Sequence, residues 1–195
     1  MGNILFIDGR NFLRKIRQIL SPDNKKEKKI NFSTYDFGGL LGKVLTGLAI
    51  DRRIVYFGRL VKHEETEKKS DELIEEQRQL KLHLEKQGFE VILAGRVRGH
   101  VEKCPMGHET FVFKEKGVDV KMAVDMITLA CNKKLRTAII GSSDSDLQPA
   151  IKELKNHNVQ RIYLGFESQP NKGLTFTTDR TILIRNSEVE EFAQK

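Results

Sequence analysis

Short β-rich apolar runs alternate with longer amphipathic stretches along most of this chain, and that alternation restricts the folds open to it. The runs are Ile4-Leu5-Phe6-Ile7, Ile54-Val55-Tyr56-Phe57, Phe89 to Leu93, Thr137 to Ile140, Val159 to Leu164 and Thr181 to Ile184. Between them lie helical spacings: Phe12, Leu13, Ile16 and Ile19-Leu20; 32–50, interrupted by Gly38, Gly39, Gly42 and Gly47; Glu64 to Gln87; Val118 to Asn132; and Leu147 to His157. In the third stretch Leu73, Gln77, Leu80 and Leu84 keep a three/four spacing, and Gly88 stands where a C-terminal cap belongs. Strands that alternate with helices predict a mainly parallel sheet covered by helices on both faces. Such sheets take ligands beyond the carboxyl ends of their strands, so the residues after each strand are the ones to inspect.

A length of 195 residues suits one domain spanning 1–195. Within it 95–116 breaks the pattern, with Pro105 and several glycines, and is expected to be an inserted hairpin or flap. No run reaches the roughly 18 apolar residues of a spanning helix, which excludes a membrane protein. The N-terminus meets Asp8 too early for a signal peptide. With only two cysteines, Cys104 and Cys131, a disulfide framework is excluded, and a reducing cytoplasm is the expected location. The net charge of +7 permits a polyanionic partner.

Carboxylates stand after the first and fourth of these strands and at one helix start. Asp8 ends the first run, Asp119 opens a helix in Lys116-Gly117-Val118-Asp119-Val120, and Asp144 and Asp146 follow Ile140-Gly141-Ser142-Ser143. Singly, each has a structural explanation: Asp119 and Asp146 as helix N-caps, Asp8 beside Gly9 as a turn former. Together they gain another meaning, because a parallel sheet brings its strand ends to one rim. Clustered carboxylates repel one another unless a cation neutralises them, and hard oxygen donors without His or Cys select Mg²⁺ or Mn²⁺. Such ions support phosphoryl transfer.

Asp8-Gly9-Arg10-Asn11, Lys116-Gly117-Val118-Asp119-Val120 with Asp125, and Gly141-Ser142-Ser143-Asp144-Ser145-Asp146-Leu147 together resemble the three motifs of NYN domains, relatives of the PIN nucleases. The resemblance covers roughly Asn3 to Ile184. It implies a three-layer α/β/α sandwich of PIN-like (Rossmann-like) type and a metal-dependent ribonuclease acting on RNA, single-stranded in the simplest case. Asp8, Asp119, Asp144 and Asp146 would be the catalytic, metal-binding carboxylates, with Asn11, Ser142 and Asp125 in support. Six residues of helix turn about 600° and rise about 9 Å, so Asp125 does not share a ligand face with Asp119. A salt bridge to Lys121 or a hydrogen bond to the Ser142-Ser143 loop is expected for it instead. The third motif often has Gly where this chain has Ser143.

Lys116 and Lys121 flank Asp119 and Arg10 follows Asp8, which makes these three the candidates for the phosphate backbone. Other basic clusters, Lys25 to Lys29 among them, read as solvated surface. Phe111 and Phe113 in the flap read as its hydrophobic anchor or as a stacking platform. Cys104 and His108 lack the second pair a zinc site needs, and Cys131 is expected in the core. His63, His83, His100 and His157 pair with no nucleophile, and phosphate-binding glycine motifs are missing. Two other functions remain open: an RNA-binding or regulatory module of the same fold, and an Asp-nucleophile phosphatase, disfavoured by Arg10 where a second Asp belongs. Monomer and homodimer are equally allowed.

Overall fold

The computed structural model describes residues 1–22, 30–62, 67–103 and 109–193, with side chains at all of these except 67–68, 98–103, 109–111 and 113–114. Seven strands form one sheet in the order β4-β3-β2-β1-β5-β6-β7. They are β1 (Gly2–Asp8), β2 (Arg52–Leu60), β3 (Glu90–Lys103), β4 (Glu109–Lys116), β5 (Leu135–Gly141), β6 (Gln160–Phe166) and β7 (Arg180–Ile184). All neighbours pair in parallel except β3 and β4. Seven helices accompany them among the described residues: α1 (Gly9–Leu20), α2 (Phe37–Val44), α3 (Glu67–Lys86), α4 (Val118–Cys131), α5 (Gln148–Asn156), α6 (Lys172–Thr177) and α7 (Asn186–Glu191). None of them is long and apolar enough to cross a membrane.

The period-two alternation of the strands divides the interior into two cores, giving three layers. Leu5, Ile7, Val55 and Phe57 face α1, α2, α3 and α7, where Phe12, Ile16, Leu40, Leu41, Leu84 and Val189 meet them. Ile4, Phe6, Ile54 and Tyr56 face the opposite way, onto Met122 and Met126 of α4, Ile151 and Leu154 of α5, and Leu174 of α6. The chain leaves β1 for β2 through the first layer and leaves β5 for β6 through the other. The direction of winding therefore reverses between β1 and β5, and the helices there diverge to open a crevice at the carboxyl ends of these two strands.

Two expectations are corrected. The helix expected over 32–50 is a 3-10 turn, Phe32–Thr34, followed by the shorter α2. Tyr35 ends the first and Asp36 starts the second, its side chain accepting the Gly39 amide at 2.7 Å. The expected helix start at Glu64 lies in 63–66, outside the described residues, and α3 is described from Glu67 onward. Cys131 is exposed, not core, and its Sγ lies 3.7 Å from His157 Nε2.

In 95–116, β3 continues past its last partner on β2, Leu60↔Val97, and pairs antiparallel with β4. The bend occurs at Gly95, whose φ of +63° favours glycine and where a Cβ would stand 1.9 Å from the Lys116 carbonyl oxygen. Cys104 and His108 fall in 104–108, Lys25 to Lys29 in 23–29 and His63 in 63–66, all outside the described residues, as are the side chains of His100, Phe111 and Phe113.

Candidate active site

Asp8 is the last residue of β1 and the N-cap of α1, so strand passes into helix without a loop. Its Oδ1 accepts the Asn11 amide at 3.0 Å. Gly9 is required here for contact rather than for a turn: a Cβ would fall 2.3 Å from the Phe57 ring. Across the crevice, Asp144 N-caps a 3-10 turn, Ser145–Leu147, by accepting the Asp146 amide at 3.0 Å. Asp119 lies in the first turn of α4, after Gly117 enters that helix with φ +84°. Two of these helical starts place a backbone N–H on a carboxylate, Asn11 on Asp8 and Asp146 on Asp144, while α4 starts without a side-chain cap. Neither Asp119 nor Asp146 is an N-cap, contrary to the structural explanation offered for them. Those positions belong to Gly117 and Asp144, and α5 starts from Leu147 with no side-chain cap.

The β5 loop is held from three sides. Ser142, buried, donates from Oγ to Asp8 Oδ2 over 3.5 Å and accepts the Asp144 amide at 3.1 Å. Asn11 Oδ1 accepts both the Ser143 amide, at 3.1 Å, and the Ser143 hydroxyl, at 2.8 Å. Asn171 Nδ2 donates to the Ser143 carbonyl at 2.9 Å. The serine that stands in place of the usual glycine therefore adds a bond to Asn11. The loop carrying Asn171 is itself anchored to α1, where buried Lys15 donates to Gln169 Oε1 at 2.5 Å.

Burial pushes the Asp8 carboxyl above its ordinary range, and the charges of Asp144 and Asp119 push the same way, against the hydrogen bonds from Asn11 and Ser142. A fourth carboxylate shares this field. Glu115, near the end of β4, is raised first by burial and then by Asp8, with Asp119 adding to it and Arg10 opposing. Its Oε2 accepts the Gly58 amide at 3.2 Å. Sequence reasoning missed Glu115, Gln169 and Asn171. Glu115 reaches the rim only through the antiparallel register Val97↔Glu115, which nothing local to it announces.

The other expected residues divide. Asp146 is exposed, and its described bond is the backbone one to Asp144. Asp125 lies away from the rim: Lys121 Nζ donates to its Oδ1 at 2.6 Å and the Tyr56 hydroxyl to its Oδ2 at 3.1 Å. Lys121 is thus engaged along α4, Lys116 is exposed, and Arg10 is exposed at the head of α1.

The NYN domain family matches residues 4–185. The chain belongs to the NYN domain family. No curated protein matches this NYN chain. A solved structure, that of a protein of unknown function from Vibrio parahaemolyticus, superposes with a TM-score of 0.57 at 17% identity, covering 94% of this chain and 93% of the other. At that identity the likeness concerns the fold. Membership in the NYN family brings a PIN-like nuclease fold with it.

The donor set suits a hard divalent cation, all oxygen and negatively charged, with Asp8 carrying an unbalanced electrostatic load. Among the described residues, however, no three His, Cys, Asp or Glu side chains converge closely enough to hold one ion as they stand.

Proposed function

We propose that this NYN chain is a metal-dependent ribonuclease whose site is the rim between β1 and β5. One observation carries the reading: Asp8 ends β1 and Asp144 follows β5 across the reversal of winding, and the Asp8 carboxyl, raised first by burial, is raised further by the charges of Asp144 and Asp119. Repulsion of that kind is what a cation relieves. Asp8, Asp144 and Asp119 would hold Mg²⁺ or Mn²⁺, with Asp146 at the exposed edge. The ion would supply charge neutralisation at a scissile phosphodiester and activation of water. The chain's own residues have separate tasks. Ser142 and Asn11 fix the Asp144 loop against Asp8, while Arg10 and Lys116 meet the flanking phosphates of an RNA strand, with Lys121 further along α4. Asp125 keeps α4 on the sheet through Tyr56.

Because no three carboxylates converge among the described residues, a second reading has an observation in its favour: an RNA-binding module with little turnover. One experiment separates them. Melting of the native chain is followed with and without Mn²⁺, together with Mn²⁺-dependent cleavage of single-stranded RNA. The nuclease reading expects Mn²⁺ to raise the midpoint, since a ligand of the folded state at 100 times its dissociation constant adds about 2.7 kcal/mol. Asp8→Asn and Asp144→Asn should each abolish that rise and slow cleavage at least about hundredfold. A native chain that binds RNA, ignores Mn²⁺ and never cleaves would establish the second reading.

A further inference from the structure

Beside the rim lies a groove of about 790 Å³ whose walls are α1 and α3. Its inner end is Arg10, Gly58 and Glu115, which lie beside the rim: Arg10 stands two residues after Asp8 at the head of α1, and Glu115 is held to β2 by the Gly58 amide. Two features distinguish it. One wall carries Arg10, Arg14 and Arg17, all exposed and spaced i, i+4, i+7 on one stripe of α1. That stripe extends about 10 Å outward from the rim at 1.5 Å per residue. The floor is apolar: Leu13, Leu60, Leu73 and Leu80 are only partly covered, and Phe57 and Phe32 close its two ends, Arg17 lying 5.4 Å over the Phe32 ring.

We infer that this groove holds the single-stranded segment of RNA leading away from the acidic rim, with phosphates along the arginine stripe and bases on the apolar floor. The inference rests on the ribonuclease reading of the rim and extends it to the path of the strand along the arginine stripe. Three guanidiniums complement a polyanion, and they point outward from the rim that would take the scissile phosphate. The floor decides between strand states. A duplex keeps its base faces stacked inside and offers a groove only phosphates, whereas a single strand has base faces to lay on the partly covered leucines, Phe57 and Phe32 being buried beneath. A volume of about 790 Å³ falls within the range of sites for single small ligands, enough for bases one or two at a time and too little for a double helix.

The test is fluorescence anisotropy with a labelled oligouridylate and a blunt RNA duplex of equal length, in EDTA to suppress turnover, across a salt series. Arg14→Ala/Arg17→Ala should weaken oligouridylate binding by at least about tenfold, the loss expected for two charge-assisted contacts. The slope of log K against log salt should fall by about 1.4, as for two single-strand phosphates. The melting midpoint should fall by a few degrees at most, because Arg14 is exposed and Arg17 adds only an exposed contact over Phe32; Arg14→Gln/Arg17→Gln, which keeps the aliphatic stems, serves if the alanine pair does not fold. Unchanged oligouridylate affinity in the variant overturns the inference, as does a duplex that binds as tightly as the single strand and loses as much. A native chain that cleaves RNA while its affinity ignores the arginine pair refutes the groove alone. A native chain that never cleaves, yet loses affinity in the variant, refutes the nuclease reading and leaves the groove.

Discussion

The rim of β1 and β5 and the groove between α1 and α3 meet at Glu115, yet they are built in opposite ways. At the rim the polar groups hold one another: the Ser143 amide, hydroxyl and carbonyl all have partners, and Asp8 and Asp144 both cap helical turns. In the groove, apolar side chains are left partly covered, and the nearby polar residue Gln77 is occupied with the Gly58 carbonyl at 2.8 Å. The contrast shows which part is set before a ligand arrives and which part gains from one. A rim of satisfied hydrogen bonds is fixed in shape, whereas a half-covered apolar floor is stabilised by whatever covers it.

Helix α3 offers the sharpest way to break the groove's side of that comparison, because one stripe of it runs from the core into the groove. Leu84, buried to 2% exposure, belongs to the core, and Leu84→Ala should cost about 2–5 kcal/mol in urea unfolding. Leu73 faces the groove, and Leu73→Ala should cost less than about 1 kcal/mol. Equal losses would mean that the groove is merely core. At the rim, Asn11→Ala strips two bonds from Ser143 and should destabilise by about 1–3 kcal/mol in the same assay. If the rim binds Mn²⁺, that variant should also weaken it by about 10–100-fold in a melting titration. Tyr56→Phe, which removes one hydroxyl bond to Asp125, should cost about 1 kcal/mol and leave Mn²⁺ affinity unchanged, as befits a bond away from the rim.

The smallest effect has an unusual sign. The folded Asp8 carboxyl titrates above its unfolded value of 3.8, so the native state holds that proton more tightly than the unfolded chain. Stability is therefore lost as pH rises from 3.8 through the folded value and stays reduced above it. Asp8→Asn can still accept the Asn11 amide and removes this cost. Without metal it should melt above the native chain at neutral pH and lose that advantage below pH 3.8. A variant less stable than the native chain at neutral pH would show that Asp8 is a structural cap rather than a strained site residue.

Much of this was legible in the chain. The runs beginning at Ile4, Ile54, Phe89, Thr137, Val159 and Thr181 all correspond to strands, because buried parallel strands need contiguous apolar residues whatever their neighbours. Helices α6 and α7 were missed, being six residues each, too short to show a helical period. Glycines at 38, 39, 42 and 47 signalled a weak helix, but only Asp36 capping Gly39 decided where it began.

The sequence by itself determined the alternation, hence the parallel sheet and its three layers, and the positions of Asp8, Asp119 and Asp144 at strand ends or helix starts. Those properties are local: periodicity and composition encode them within a few residues. Tertiary structure alone decided which strand ends are neighbours, and so that Asp8 faces Asp144 while Asp125 turns to Tyr56. It also brought in Glu115 through a hairpin register and Asn171 through a loop, and it opened an arginine-walled groove where α1 and α3 part. Each of these depends on residues distant along the chain meeting in space, and no local pattern carries that information.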